Sequence, residues 1–227
     1  MFKVLLSVLF SLLCVSLYSK TVIHAGNLFN ANNGSIEPEM TIFIEDDKIT
    51  DVIEGYVNPE INDTYLDLTG YFVLPGLIDM HVHLTNISSN KAYLERVTLN
   101  PADYAIRATK NAENTLYAGF TTVRNLGDSN SITISLRNAI NDGIVKGPRI
   151  FSSGQTISTT GGHGDSTNSL NQQLTRDLGP KDGVINSETD AFKAVRSRYK
   201  ENADLIKITA TGGVLSNAKD GQNPQMT

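Results

Sequence analysis

Two histidines separated by a single residue are the part of this sequence that is best suited to chemistry. His81 and His83 stand at the end of a largely apolar run, residues 77–84. Residues two apart in a strand face the same side, so both imidazoles reach one point, which suits a shared metal ion. A loop follows them, where α/β barrels place their active sites. The spacing predicts a metal site, although two ordinary strand histidines would look the same.

Lys207 is the second residue whose surroundings suggest chemistry. It lies within the apolar stretch 205–208 of a predicted strand, where a charged amine is costly unless it is paired or deprotonated. Three interpretations stay open. The side chain reaches solvent at the strand end, or its amine has a lowered pKa for Schiff-base chemistry. In the third, it reacts with carbon dioxide to give a carbamate, an anionic ligand able to bridge two metal ions.

His163 is the third candidate, in a glycine-rich loop after a predicted strand. Gly162 and Gly164 flank it, and glycine lets the backbone approach a ligand closely. The loop falls on the same predicted face as the two histidines. The residue is therefore a candidate catalytic group, and an incidental histidine in a surface loop is the alternative.

The elements that would position these residues fall into two parts. Residues 20–67 predict a small β module, because the runs 40–45 and 48–53 alternate in polarity and are joined by an acidic turn. From residue 68 onward strands alternate with helices, which indicates parallel βαβ units. The predicted strands are 71–84, 121–126, 148–153 and 204–210, and the predicted helices cover 101–117, about 131–141 and 187–201.

The predicted fold class is therefore α/β. Four strand passes follow residue 68, whereas a closed (β/α)₈ barrel takes about 250 residues. We expect the N-terminal part of a (β/α)₈ TIM-like barrel, truncated after about four βα units and preceded by the small β module. The expected domains are 20–67 for the incomplete module and 68–227 for the first half of the barrel. An open α/β sheet is the alternative.

Residues 1–19 have the pattern of a signal peptide. One lysine precedes an apolar run from residue 4 to 17, and a short polar stretch follows. That run is shorter than the roughly 20 residues that span a membrane, so we expect no stable membrane span, and an uncleaved anchor is the alternative. An exported protein, periplasmic or secreted, is predicted. Cleavage near Ser16 or Ser19 would remove Cys14, the only cysteine, and with it any thiol chemistry.

Composition and charge exclude one class of partner. The net charge is −5, from 19 basic and 24 acidic side chains. Nucleic-acid binding would call for a clustered basic face, so no nucleic-acid partner is expected. A small-molecule substrate is expected instead, and the sequence leaves homo-oligomerisation open.

Several segments together resemble the amidohydrolase superfamily. Residues 75–83 are similar to its first barrel strand, and 44–49 to its small β-sandwich. Within the superfamily, residues 119–124, 160–165 and 204–216 are similar to imidazolonepropionase-like enzymes and to Xaa-Pro or Xaa-Arg dipeptidases. The resemblance covers residues 21–227.

The resemblance implies a metal-dependent hydrolase acting on C–N bonds. His81 and His83 would bind the more buried of two divalent ions, which we expect to be zinc. Lys207, as its carbamate, would bridge both ions, and His163 would approach the substrate. A metal-activated bridging hydroxide would attack an amide or dipeptide, including the Xaa-Pro type. The family usually has Asp where Asn125 stands. The substitution implies a looser contact between this residue and the side chains that bind the metal.

The family also uses two histidines and an aspartate from later strands, and no histidine follows His163. We therefore expect the 227-residue chain to be inactive by itself. Three alternatives remain: a cyclic amide or lactone hydrolase of the same superfamily, a Schiff-base lyase using Lys207, and a non-catalytic exported binding protein.

Overall fold

The first sheet of the protein is built around a small apolar core. The computed structural model describes residues 19–86, 90–213 and 221–226. The first compact unit, Met1–Pro75, contains one four-stranded sheet among its described residues. Its strands are β1 (Thr21–Phe29), β2 (Ile36–Glu45), β3 (Lys48–Glu54) and β4 (Thr64–Val73), in the order β3-β2-β1-β4. Buried Ala25, Met40 and Ile42 form its apolar core.

The predicted hairpin between residues 40 and 53 is confirmed. β2 and β3 pair antiparallel up to Glu45 and Lys48, so Asp46 and Asp47 form a two-residue turn. Asp46 adopts the left-handed region, with φ of 54°, as tight hairpin turns require. Aspartate accepts this conformation more readily than most residues do.

β1 pairs with β4 in parallel, and this pairing moves the boundary that the sequence suggested. The pairing runs as far as Leu28 and Val73, so the predicted boundary between residues 67 and 68 falls inside β4. The compact unit ends at Pro75 instead. The register shifts between Ala25 and Asn27. At Gly26, between them, a Cβ would lie 2.0 Å from the carbonyl oxygen of Thr69, which explains the glycine.

The second unit, Gly76–Thr227, contains a parallel sheet of three strands. The strands are β5 (Leu77–Val82), β6 (Phe120–Asn125) and β7 (Arg149–Ser152), in that order. Its helices are α1 (Ala92–Thr98), α2 (Pro101–Tyr117), α3 (Ile132–Asn141) and α4 (Glu188–Lys200). Two short 3₁₀ turns, Gln172–Leu174 and Pro180–Asp182, interrupt the long loop before α4. The alternation of strands and helices confirms the α/β class.

Helix ends and core packing follow from local sequence. Pro101 occupies the first turn of α2, and Asn100 and Asp103 form a capping box around it. Ala108 and Ala112, one turn apart on α2, are completely buried in the core. That core also contains Leu84, Val123, Ile132, Leu136 and Ile150. Small side chains four residues apart let the helix lie close to the sheet.

Two sequence predictions differ from the structure. The predicted strand 204–210 is reduced to a single parallel bridge between Ile157 and Ile208. Isolated backbone hydrogen bonds also join Asp204 to Ser152 and Gln225 to Ala210. Helix α1 was not predicted, since its seven residues are too few for a clear periodic pattern.

The predicted signal peptide lies outside the described residues except for Ser19. Within the described part of the chain, no helix has the length and apolar character needed to cross a membrane.

Candidate active site

Parallel strand ends bring the candidate residues of the second unit to one edge of its sheet. β6 lies between β5 and β7, and all three run in the same direction. His81 is in β5 and His83 directly follows it. Arg124 and Asn125 end β6, and Ser152 ends β7. This edge is where parallel α/β folds bind their ligands.

The imidazole rings of His81 and His83 lie together, as two-residue spacing predicts. Their centroids are 5.2 Å apart, with the ring planes inclined at 63°. Both side chains are exposed. The pair is therefore open to a ligand from the solvent side.

The strand around His81 is irregular, and polar side chains compensate for this. The register between β5 and β6 shifts between Asp79 and Val82. Asp79 Oδ1 accepts a hydrogen bond from the backbone N–H of His81 at 2.9 Å. Nε of Arg124 donates to the carbonyl of Met80 at 2.8 Å. These two contacts replace ladder hydrogen bonds and fix the backbone that carries His81.

Electrostatics favour the neutral form of His81. Partial loss of solvent lowers the pKa of its imidazole, and the positive charge of Lys207 lowers the pKa further. The nearby His83 and Arg124 act in the same direction, while Asp79 opposes them. Neutral imidazole is the form that binds metal ions.

The backbone of the loop that follows β6 contacts the imidazole ring of His83. Its Nδ1 lies 3.3 Å from the carbonyl oxygen of Gly127. Asn125 is completely buried, accepts from the N–H of Leu84 at 2.8 Å, and donates to the same Gly127 carbonyl at 3.2 Å. Both the carbonyl oxygen and the amide nitrogen of Asn125 therefore have partners next to His83.

Lys207 is half-buried between two exposed isoleucines. Ile206 and Ile208 are 41% and 52% exposed, so the alternation of an extended chain puts Lys207 on the opposite side. The carbonyl of Lys207 accepts from the N–H of Ile157 at 2.8 Å. The positive charge of Lys207 also acts on the imidazole of His81, so Lys207 lies within electrostatic range of the histidine pair.

The ring of His163 lies against the backbone of Gly213, six positions after Lys207 in the chain. A Cβ on Gly213 would be 2.3 Å from two atoms of that ring. The backbone N–H of His163 donates to Oε1 of Gln225 at 2.8 Å, and the N–H of Gln225 donates to the carbonyl of Ala210 at 2.8 Å. Gln225 therefore joins the His163 loop to the segment that follows Lys207. No pattern in the sequence indicates this role.

Asp165 organises the loop that carries His163. Its carboxylate accepts hydrogen bonds from Gly161 and from both the backbone and the hydroxyl of Thr167. Burial raises the pKa of Asp165, but these hydrogen bonds outweigh that effect and leave the pKa below its ordinary value. The ionised carboxylate thus holds the loop at neutral pH.

A cavity of about 560 Å³ lies at the other end of this loop. It is bordered by the start of α3, the 3₁₀ turn Pro180–Asp182 and the last turns of α4. None of the four predicted site residues lines it. Over residues 19–86, 90–213 and 221–226, no three His, Cys, Asp or Glu side chains gather into a metal-binding group.

Comparison with known proteins identifies the family of this chain. Residues 72–227 match the amidohydrolase family, so this chain belongs to the amidohydrolase family. The match begins within β4, and it includes every predicted site residue.

Solved structures with the same fold include peptidases. A Xaa-Pro dipeptidase with methionine bound in its active site is 46% identical, with a TM-score of 0.86, over 92% of this chain and 51% of that one. A prolidase complexed with N-methylphosphonate-L-proline is 30% identical, with a TM-score of 0.79, over the same shares. Ochratoxinase of Aspergillus niger is 27% identical over 86% of this chain and 43% of its own length. The chain thus spans about half the length of these relatives.

Proposed function

We propose that the protein containing this chain is a zinc-dependent hydrolase of C–N bonds in amides or dipeptides. The observation that carries the proposal is the pair of imidazoles at the C-terminal end of β5, with centroids 5.2 Å apart and Lys207 acting on His81. Membership of the amidohydrolase family supports it.

The donor set fits zinc. Two imidazoles bound tetrahedrally to one zinc ion at the usual Zn–N distance would have centroids roughly 5 Å apart, which agrees with the observed separation of His81 and His83. The loss of solvent around His81 lowers the pKa of its imidazole, which favours the neutral form that binds metal. Imidazole nitrogen and carboxylate-like oxygen are both ordinary zinc ligands.

Lys207 fits this role only after modification. As an ammonium group it would repel a cation held by the neighbouring histidines. Reaction of its neutral amine with carbon dioxide forms an N–C bond and releases one proton, which turns the side chain into an anionic carbamate. We therefore propose that Lys207 is carboxylated and shared between two zinc ions. Bound zinc would supply an activated water and polarise the substrate carbonyl.

His163 is proposed to contact the substrate rather than the metal. Its ring is exposed, and Gly213 and Gln225 hold its loop beside the segment that follows Lys207. An imidazole in such a position is suited to hydrogen bonding with a substrate carbonyl or carboxylate.

Among C–N substrates, Xaa-Pro dipeptides are the ones that the relatives favour. One similar structure is a Xaa-Pro dipeptidase and another is a prolidase with a proline-containing phosphonate. A panel of Xaa-Pro, Xaa-Arg and unrelated dipeptides, together with cyclic amides and lactones, would test this on the intact gene product loaded with zinc. Preferred turnover of Xaa-Pro dipeptides is expected. Turnover of cyclic amides or lactones alone would contradict the substrate class, and zinc binding without any turnover would favour a binding protein.

The lyase alternative has its own test. Borohydride reduction in the presence of a carbonyl substrate traps a Schiff base on lysine. We expect no trapped adduct at Lys207, because the proposed carbamate has no free amine. A trapped adduct would replace the hydrolase proposal.

We also propose that residues 1–19 direct export. The sequence pattern supports this. Cell fractionation with N-terminal sequencing of the mature protein is the measurement, and a cytoplasmic protein that retains Met1 would contradict it.

A further inference from the structure

Helix α1 is the first helix after the strand that carries the histidine pair. It begins at Ala92, on the connection that leaves the C-terminal end of β5. Such connections build the sites of parallel α/β folds. All residues of α1 lie in the described part of the chain, and none of them is buried. The helix therefore adds nothing to the apolar core of the second unit.

Two charged contacts hold α1 on different faces. Glu95 forms an ion pair with Arg107 of α2, with 3.1 Å between Oε1 and Nη1. Nη2 of Arg96 donates a hydrogen bond to the carbonyl oxygen of Ser166 at 2.7 Å. Ser166 directly follows Asp165, the residue that organises the His163 loop. Helix α1 is thus fixed between α2 on one side and the His163 loop on the other.

Tyr93 lies on the side of α1 that faces the His163 loop. Consecutive residues of a helix are rotated by about 100°, so Tyr93 is about 60° from Arg96 and about 160° from Glu95 around the axis. The residue is 73% exposed. This position turns Tyr93 away from α2 and towards the loop that carries the histidine proposed to contact the substrate.

The chemistry of this face of α1 suits an apolar group. A phenol ring offers a large and rigid apolar surface with few rotatable bonds. Val97 lies one turn after Tyr93 and is 56% exposed, so the two side chains form an apolar strip on the same face. Within Xaa-Pro dipeptides only the first side chain varies. A contact between this strip and that side chain would therefore set the preference among such substrates.

We propose that α1 is a specificity element of the site, in which Tyr93 contacts an apolar first side chain of a dipeptide and Arg96 holds Tyr93 in place. This inference rests on the proposed function, hydrolysis of dipeptides. Arg96 is a positioning residue, because its guanidinium contacts the carbonyl of Ser166 and acts on the substrate only through the placement of Tyr93.

The test compares Phe-Pro with Gly-Pro on the intact zinc-loaded enzyme, since these substrates differ only in the first side chain. Tyr93→Ala is expected to lower kcat/KM for Phe-Pro about 10-fold or more, through a higher KM, because it removes an apolar contact. It should leave kcat/KM for Gly-Pro unchanged. Tyr93→Phe keeps the ring and should keep the wild-type ratio of the two values.

Tyr199→Ala is the matched control for Tyr93. This tyrosine of α4 is 81% exposed, and its removal should leave the ratio of the two substrates at the wild-type value. An equal loss for both substrates in Y93A would mean that Tyr93 acts only on the fold, and would overturn the proposal. Full activity of Y93A on Phe-Pro would overturn it as well.

Arg96→Ala tests the positioning role. It should shift the ratio in the same direction by a smaller factor, because an exposed charged contact is weak. Arg96→Lys, whose ammonium group also donates to a carbonyl, should restore the wild-type ratio. Lys110→Ala breaks an exposed ion pair with Glu113 on α2 and is the control. A wild-type ratio in R96A would overturn the role of Arg96.

Two measurements without turnover separate this inference from the proposed function. Backbone amides of α1 and of residues 163–168 should exchange hydrogen faster in R96A than in the wild type, and equal exchange would overturn the positioning role. A wild-type enzyme that hydrolyses no dipeptide would contradict the proposed function. Calorimetric binding of Phe-Pro that Y93A weakens would then still support the contact with Tyr93, and no binding would overturn it.

Discussion

Gly213 and the ring of His163 leave no space for a side chain between them, since a Cβ on Gly213 would lie 2.3 Å from two ring atoms. Gly213→Ala must therefore displace His163. We expect kcat/KM of the intact enzyme to fall about 100-fold, as displacements near 1 Å commonly cause, while bound zinc stays unchanged.

Steady-state kinetics together with elemental analysis check this prediction. Gly179→Ala is the control, because a Cβ at Gly179 meets nothing within 4 Å. Loss of zinc in G213A, or full activity in that variant, would show that His163 does not have the proposed role.

Removing Lys207 tests the carbamate. Lys207→Ala removes the side chain that is proposed to become the bridging anion, so at least one zinc ion per chain should be lost from the intact protein. Lys193→Ala, an exposed lysine on α4, should keep the wild-type content. Metal content by elemental analysis is the measurement, and an unchanged zinc content in K207A would remove the carbamate from the proposal.

Asp128 makes stability depend on pH in an unusual direction. Burial raises the pKa of its carboxyl, although Thr133 and Arg198 act against the shift. In the unfolded chain the group ionises near pH 4. Between that value and the raised folded pKa, the folded state binds more protons, so stability falls as pH rises through this window and the loss persists above it.

Asp128→Asn should remove this pH-dependent loss of folding stability. One carboxylate oxygen accepts from the N–H of Thr133 at the start of α3, while the other is buried without a partner among the described residues. Asparagine keeps an oxygen acceptor for the N–H of Thr133 and carries no charge. We expect D128N to melt at a higher temperature than the wild type at pH 7, with the difference vanishing below pH 4. A lower melting temperature at pH 7 would show that the charge is compensated.

Gly26 and Gly70 form a matched pair in the first sheet. A Cβ at Gly26 would lie 2.0 Å from the Thr69 carbonyl oxygen, whereas one at Gly70 meets nothing within 4 Å. Gly26→Ala should destabilise the protein by roughly 1–3 kcal/mol, the range typical of overpacking. Gly70→Ala should be neutral or slightly stabilising. Urea denaturation checks both, and equal effects would contradict the close approach.

The features that depend on local patterns could be predicted from the sequence. The hairpin ending at Glu45 and Lys48 follows from alternation and an acidic turn, and α2 follows from the helical spacing of its apolar residues. The proximity of His81 and His83 follows from the two-residue period of a strand.

The features that depend on contacts between distant residues could not be predicted from the sequence. The roles of Asn125 and Gln225 arise from contacts with residues about 40 and 60 positions away. The end of the first unit was misplaced because residues 71–74 look like the start of a barrel strand, whereas β4 pairs with β1. The segment around Lys207 has a strand pattern, yet a strand also needs neighbours on the sheet.

The parallel pairing of β1 with β4 has a consequence for biosynthesis. β1, β2 and β3 pair with their sequence neighbours, but β1 must also wait for a partner that ends at Val73. Until then, one edge of the nascent sheet offers unpaired N–H and C=O groups to any other extended chain. During synthesis at about 5–20 residues per second, this interval lasts a few seconds, and we expect chaperone binding to concentrate there.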